Sequence, residues 1–231
     1  SESRCTAQGG GYAQNYAVAL RSAPRDLVVP VLMLSQFRVA RNHSGLSRFG
    51  RWAQRQGANV VELEELSFQQ LLIKHGHNGT HMKQRMWGKV MPDHLSGPFL
   101  RLDIPRVMRE HSLFDIPCVC PEYVLYTDAD VMFWNASAES LHRIVKTLTS
   151  TPERFVMYGN EVTISGRPKN TGVFFMSVPR FEKIWPDMLR LGVDFAFDFK
   201  EKAYDQGWLN FFFINVRRHR NDGKSYFATI S

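Results

Sequence analysis

No apolar run in this chain approaches the roughly 20 residues that a membrane-spanning helix requires, so no such helix is expected. Cysteine is scarce: Cys5, Cys118 and Cys120 form neither an even disulfide framework nor a zinc-ligand spacing. Cys118 and Cys120 stand too close in sequence for an easy mutual bridge. Cys5 can pair with one of them if the first strand lies beside the strand that ends at Asp128. Internal repeats and low-complexity linkers are also missing, which excludes a solenoid and favours one domain over residues 1–231. Aromatic and basic residues do not interleave as a single-strand nucleic-acid groove requires, and no nucleic-acid partner is expected. His75, His77 and His81 lie close together, but Gly76, Asn78 and Gly79 mark a polar loop without a carboxylate at useful spacing. That segment is not read as a metal centre.

What is present describes an ordinary globular protein, 44% hydrophobic and 22% charged, large enough to bury one substantial core. The formal net charge of +7 suits anionic ligands, among them nucleotides and phosphates. The densest basic run, Arg217-Arg218-His219-Arg220, is short enough to be a solvated face. Three N-x-Ser/Thr sequons, at Asn42, Asn78 and Asn135, favour a secretory lumen. The chain does not open on Met and shows no signal peptide. The expectation is a processed form or fragment whose leader or anchor lies elsewhere.

Strand and helix signals alternate along the chain. A short strand is expected at Arg4–Ala7 and a helix over Tyr12–Ser22, ended by Pro24. Leu27–Leu34 reads as a buried strand interrupted by Pro30, Leu46–Gln56 as a helix stopped at Gly57, and Asn59–Leu63 as a strand. The segment 64–97 is less regular. Pro98–His111 reads as a helix with Pro98 in its first turn. Further helices are expected at Glu139–Leu148 and Phe181–Leu191, and strands at Phe155–Tyr158 and from Asn170 to Val178. This alternation predicts an α/β fold built on a mostly parallel central sheet of Rossmann-like type, with helices on both faces.

The most informative stretch is Tyr123-Val124-Leu125-Tyr126-Thr127-Asp128-Ala129-Asp130. An apolar, β-prone run ends in two carboxylates one residue apart, where an open α/β sheet places its ligand crevice. Carboxylates that close repel one another and call for a positive partner. A divalent cation bound to substrate phosphates meets that demand. The same triplet also occurs on solvated turns.

Four blocks, in order, carry a resemblance to a known family. They are Thr6-Ala7 with Gly11-Tyr12-Ala13; Phe99-Leu100-Arg101-Leu102 with Tyr126-Thr127-Asp128-Ala129-Asp130 downstream; Asn170-Thr171-Gly172-Val173-Phe174; and Tyr204-Asp205-Gln206-Gly207-Trp208-Leu209-Asn210. The chain resembles the glycogenin-like glycosyltransferases of family 8, which have the GT-A fold. The resemblance implies a retaining transferase that moves a sugar from a UDP-sugar donor to an acceptor hydroxyl on a glycan, protein or lipid. It implies that Asp128 and Asp130 bind Mn²⁺ or another divalent cation, with Ala129 between them in the donor site. Arg101 would contact phosphate and sugar, and Thr6, Ala7 and Tyr12 would border uracil and ribose. Asn170 and Gly172 would lie beside the donor sugar, with Asp205 and Gln206 facing its anomeric side as the catalytic pair. It further implies a Golgi or endoplasmic reticulum lumen, with membrane contact only through an anchor outside this chain.

Each residue also has a plainer reading. Tyr12 fits a core position, Arg101 a solvated helix, Gly172 a tight turn, and Asp205 the favoured acidic place in a first helical turn. The family's third metal ligand, a histidine in a His-x-x-Gly-x-x-Lys-Pro-Trp segment, has no counterpart before Ser231, and His219 is not promoted to it. Two rival functions stay open. One is a nucleotide-sugar or glycan-binding module without turnover. The other is a haloacid-dehalogenase-type phosphohydrolase, with the first Asp as nucleophile.

Overall fold

The computed structural model describes residues 10–24, 28–35, 46–76, 99–110, 122–129, 131–133, 137–150, 156–159, 170–199, 204–216 and 227–230. Helix α1 (Gly10–Ser22) ends where Ser22 Oγ donates to Ala19 O at 3.0 Å, satisfying one of the last-turn carbonyls. Pro24 follows. Strand β1 (Val31–Ser35) begins just after Pro30, four residues later than the apolar run suggests. Proline has no N–H for a ladder, but its carbonyl accepts from Asn59 N at 2.9 Å, so Pro30 works as the strand's threshold.

Helix α2 (Arg48–Arg55) is capped by Ser47, whose Oγ accepts from Gly50 N at 3.0 Å. Glu62 in turn accepts from Ser47 N, 2.9 Å to each carboxylate oxygen. Gly57, at φ 83°, supplies the left-handed residue that releases the chain from α2. Strand β2 (Asn59–Leu63) then pairs parallel with β1, from Val31↔Asn59 to Ser35↔Leu63. The result is one strand–helix–strand crossover. Its α1–α2 side is sealed by Tyr16, set edge-on to Phe49 and Trp52.

Helix α3 (Gln69–Gly76) falls in the segment that looked irregular. Gln69 Oε1 accepts from Leu66 N at 3.0 Å, and Leu72 is buried, so capping and packing outweigh the local polar pattern. A tight 3₁₀ turn, Leu100–Asp103, leads into α4 (Ile104–Glu110), replacing the single long helix expected there. Asp103 is buried and receives Ser67 N at 2.8 Å and Arg106 Nη2 at 3.0 Å.

The second sheet contains β3 (Tyr123–Thr127), β4 (Val156–Gly159), β5 (Asn170–Ser177) and β6 (Phe227–Ile230), in the order β3-β5-β4-β6. β5 runs antiparallel to both β3 and β4, and only β4–β6 is parallel. The described residues are thus mixed α/β, with a two-stranded parallel pair and a four-stranded mixed sheet, and a single mostly parallel central sheet is not seen among them. Ten residues between β4 and β5 are fewer than the dozen or more that a parallel crossover takes, which fits their antiparallel pairing.

Three helices complete the described set: α5 (Ser137–Ser150), α6 (Val178–Asp194) and α7 (Tyr204–Asn210), the last continuing into a π-helical turn, Phe211–Val216. Pro186 lies inside α6 without ending it. The buried face of Phe181, Ile184 and Met188 offsets the roughly 3 kcal/mol that an interior proline costs. The main core gathers Phe68, Phe99, Phe174, Phe181, Met188 and Trp208. Trp208 anchors it, with Phe197 edge-on at 5.1 Å and Nε1 donating to Met188 O at 3.1 Å.

Gly192 passes directly beneath these rings. A Cβ there would stand 2.8 Å from Trp208 Cζ2 and closer still to Phe197. Gly192→Ala is therefore expected to destabilise the fold by about 1–3 kcal/mol through overpacking, measured by urea unfolding. An unchanged midpoint would show that the rings can give way.

Candidate active site

The site forms where the 3₁₀ turn, the end of β3, the start of β5 and the first turn of α7 meet. Arg101 sits in the turn with Phe99, Leu100 and Leu102 packed into the core on either side of it, leaving the guanidinium to reach other elements. Its side chain is only 9% exposed. Nη2 lies 3.2 Å from Asp128 Oδ1, and Nε lies 3.0 Å from Asp205 Oδ2. Nη1 donates to the Thr171 carbonyl. The guanidinium carbon, Cζ, lies over the Tyr126 ring, 4.4 Å from its centroid.

Asp128 stands immediately after β3, as its place in the sequence implies. Its N–H donates to Gly172 O at 2.7 Å, which extends the β3–β5 ladder by one rung. Its carbonyl accepts from Val131 N at 3.2 Å, closing a turn with Ala129 inside it. Tyr126 is two residues back on the same strand face, and its hydroxyl donates to Asp128 Oδ1 at 2.7 Å. Both polar side-chain contacts to Asp128 thus fall on Oδ1, while the side chain is 41% exposed.

Asp205 is different. It occupies the first turn of α7, where its own N–H and that of Gln206 bond to its carboxylate, and its side chain is 4% exposed. Burial, chiefly, pushes its carboxyl from the ordinary 3.8 up to about 7. The Arg101 guanidinium and the two backbone N–H groups pull it down, and the charge on Asp128 pushes it up. Arg101 Nε reaches Oδ2 at ion-pair distance but off the hydrogen-bond line, so this buried oxygen holds charge contact without a hydrogen bond. Gln206, half-buried beside it, offers its carbonyl to Asn210 Nδ2 at 2.8 Å.

Arg101, Asp128, Gly172 and Asp205 are brought together, with Ala129 and Gln206 next to them. Tyr12 lies in α1 and Asn170 opens β5, but the described features of both are confined to backbone. Thr6, Ala7 and Asp130 lie outside the described residues, as do the Arg4–Ala7 strand, His77, His81, all three cysteines and the three sequon asparagines. Three contributors were not singled out from sequence: Tyr126, the Thr171 carbonyl, and Phe174, which stacks on Tyr126 at 5.1 Å. The two-residue strand period places Tyr126 beside Asp128 and was the available signal. The Thr171 contact has no such signal, because it depends on register.

Among the described residues no cluster of three or more His, Cys, Asp or Glu side chains is assembled to hold a metal. Asp128 nonetheless fits a hard divalent cation, since its carboxylate side chain is 41% exposed and its Oδ2 meets no protein donor among the described residues. Comparison with protein-family models, curated proteins and solved structures gives no match to this chain.

Because the folded chain holds the Asp205 proton more tightly than the unfolded chain, this group's stabilising contribution is fully present below pH about 4. It is lost as pH rises through about 7. In chelator-containing buffer, the unfolding temperature of the parent chain is expected to fall over that window relative to Asp205→Asn. Parallel pH profiles would show that Asp205 titrates normally.

Proposed function

We propose that the chain is a nucleotide-diphospho-sugar transferase of GT-A-like fold, retaining configuration as it moves a sugar from a UDP-sugar to an acceptor hydroxyl. The observation that carries this reading is the convergence on Arg101. The block holding Arg101 touches the strand-end Asp128, the Thr171 carbonyl and Asp205, and these belong to segments far apart in sequence. Ordered blocks on unrelated surfaces would have no reason to meet at one guanidinium. The two small sheets are then parts of the larger GT-A-like sheet. The sequons add support for a Golgi or endoplasmic reticulum lumen.

In this reading Asp128 and Asp130 hold Mn²⁺ or another divalent cation. The chemistry that the ion supplies when bound is charge neutralisation on the departing diphosphate. Arg101, fixed by its buried contacts, adds a second positive group whose planar fork suits phosphate or sugar hydroxyls. Gly172 lets backbone come close to the donor sugar, since no side chain stands there. Asp205 is the chemically distinctive group. A carboxyl near pH 7 can accept or donate a hydrogen bond, and its oxygen without a hydrogen bond is suited to a sugar hydroxyl or to positive charge developing at the anomeric carbon. Gln206 follows as a neutral partner on the same helical turn.

Calorimetric titration with UDP tests the proposal. Binding is expected to require Mn²⁺ and to disappear in Asp128→Ala/Asp130→Ala. Asp205→Asn should retain metal-dependent UDP binding while UDP-sugar turnover falls about 100-fold or more. Indifference of the parent chain to UDP and metal, or phosphatase activity without any sugar nucleotide, would sink it.

A further inference from the structure

Asp128 uses its two oxygens unequally. Oδ1 accepts the Tyr126 hydroxyl at 2.7 Å and faces Arg101 Nη2 at 3.2 Å, whereas Oδ2 meets no donor among the described residues. An exposed aspartate at a strand end would ordinarily rotate about its side-chain bonds and offer either oxygen. This one is held. We propose that Tyr126 is a positioning residue for the cation-binding carboxylate, pinning Oδ1 inward so that Oδ2 alone is presented to the ion. The inference rests on the metal site of the proposed transferase and adds to it the residue that orients its ligand.

The phenol itself is well fixed. Tyr126 pairs with Phe174 across the β3–β5 ladder, and the rings stack at 5.1 Å with an interplanar angle of 23°. Arg101 Cζ also lies over the same ring, 4.4 Å from its centroid. The hydroxyl donates to Asp128 Oδ1 from this fixed ring at 2.7 Å. A neutral O–H, unlike a second cation, orients the carboxylate without cancelling the charge that attracts the metal. Arg101 alone would do less well, because the same guanidinium is also drawn toward Asp205 and Thr171.

Tyr126→Phe keeps the ring, its stacking and its contact with Arg101, and removes only the hydrogen bond. Tyr123→Phe is the control: it lies on the same strand, and its hydroxyl bonds to Glu122 instead. Mn²⁺ alone is titrated into each chain by calorimetry at low temperature, with circular dichroism reporting the folded state. The expected result is an affinity about tenfold weaker for Tyr126→Phe and unchanged for Tyr123→Phe. Tyr126→Leu, which also removes the platform under Arg101, should lose at least as much. Equal affinity of Tyr126→Phe and the parent chain overturns the positioning role while leaving the transferase reading intact, as does a lowered unfolding temperature with affinity unchanged. Failure of the parent chain to bind Mn²⁺ removes the metal site, and this inference falls with it.

Discussion

A buried guanidinium shared between two carboxylates is the constraint around which this protein is arranged. Taking Arg101 out of water is costly, and the fold meets that cost from four sides: two anions, a backbone carbonyl and an aromatic face. One positive charge facing two negative ones does not balance when both acids are ionised. Burial pushes the carboxyl of Asp205 up toward neutrality, the Asp128 charge adding to it against Arg101, while the Asp128 side chain stays 41% exposed. The pair therefore splits into two roles by environment alone, one group poised to exchange a proton or hydrogen bond and one suited to a cation.

The aromatic core makes this possible. Asp205 and Trp208 stand three residues apart on α7 and so share a helix face. Seating Trp208 among Phe68, Phe99, Phe197 and Phe199 draws Asp205 inward with it. On the opposite side, the Tyr126–Phe174 stack fixes the phenol that holds Asp128. The 3₁₀ turn joins both: Phe99 and Leu102 enter the main core, Leu100 reaches the β1–β2 side, and Arg101 is left facing the site. Packing and electrostatics are here the same arrangement seen from two sides.

Much of this was legible before any coordinates. The strand at Asn59–Leu63 and the one from Tyr123 that ends before Asp128 follow from β-branched and aromatic runs bounded by polar residues. The helix expected over Leu46–Gln56 and its stop at Gly57 also follow, although the structure starts it at Arg48, after the Ser47 cap. Less was legible where pairing partners decide. The strand Phe227–Ile230 is four residues long and exists through its ladder with β4. The helix Gln69–Gly76 depends on a side-chain cap and on Leu72 finding the core. In the site, Asp128 was a candidate from its place at a strand end and Asp205 from the family resemblance, its place in a first helical turn being the plainer reading, while Tyr126 was visible only as a member of a strand.

The sequence by itself determined the local grammar: where most of the strands and helices lie, which faces are apolar, and that an acidic pair ends an apolar run. These depend on neighbours within a few residues, where propensity, period and caps act. Only the tertiary structure decided that β5 runs antiparallel between β3 and β4, that Asp205 is buried, and that Arg101 reaches both aspartates at once. Those outcomes come from ladder register, desolvation and charge contact between residues far apart in the chain, and no local pattern encodes them.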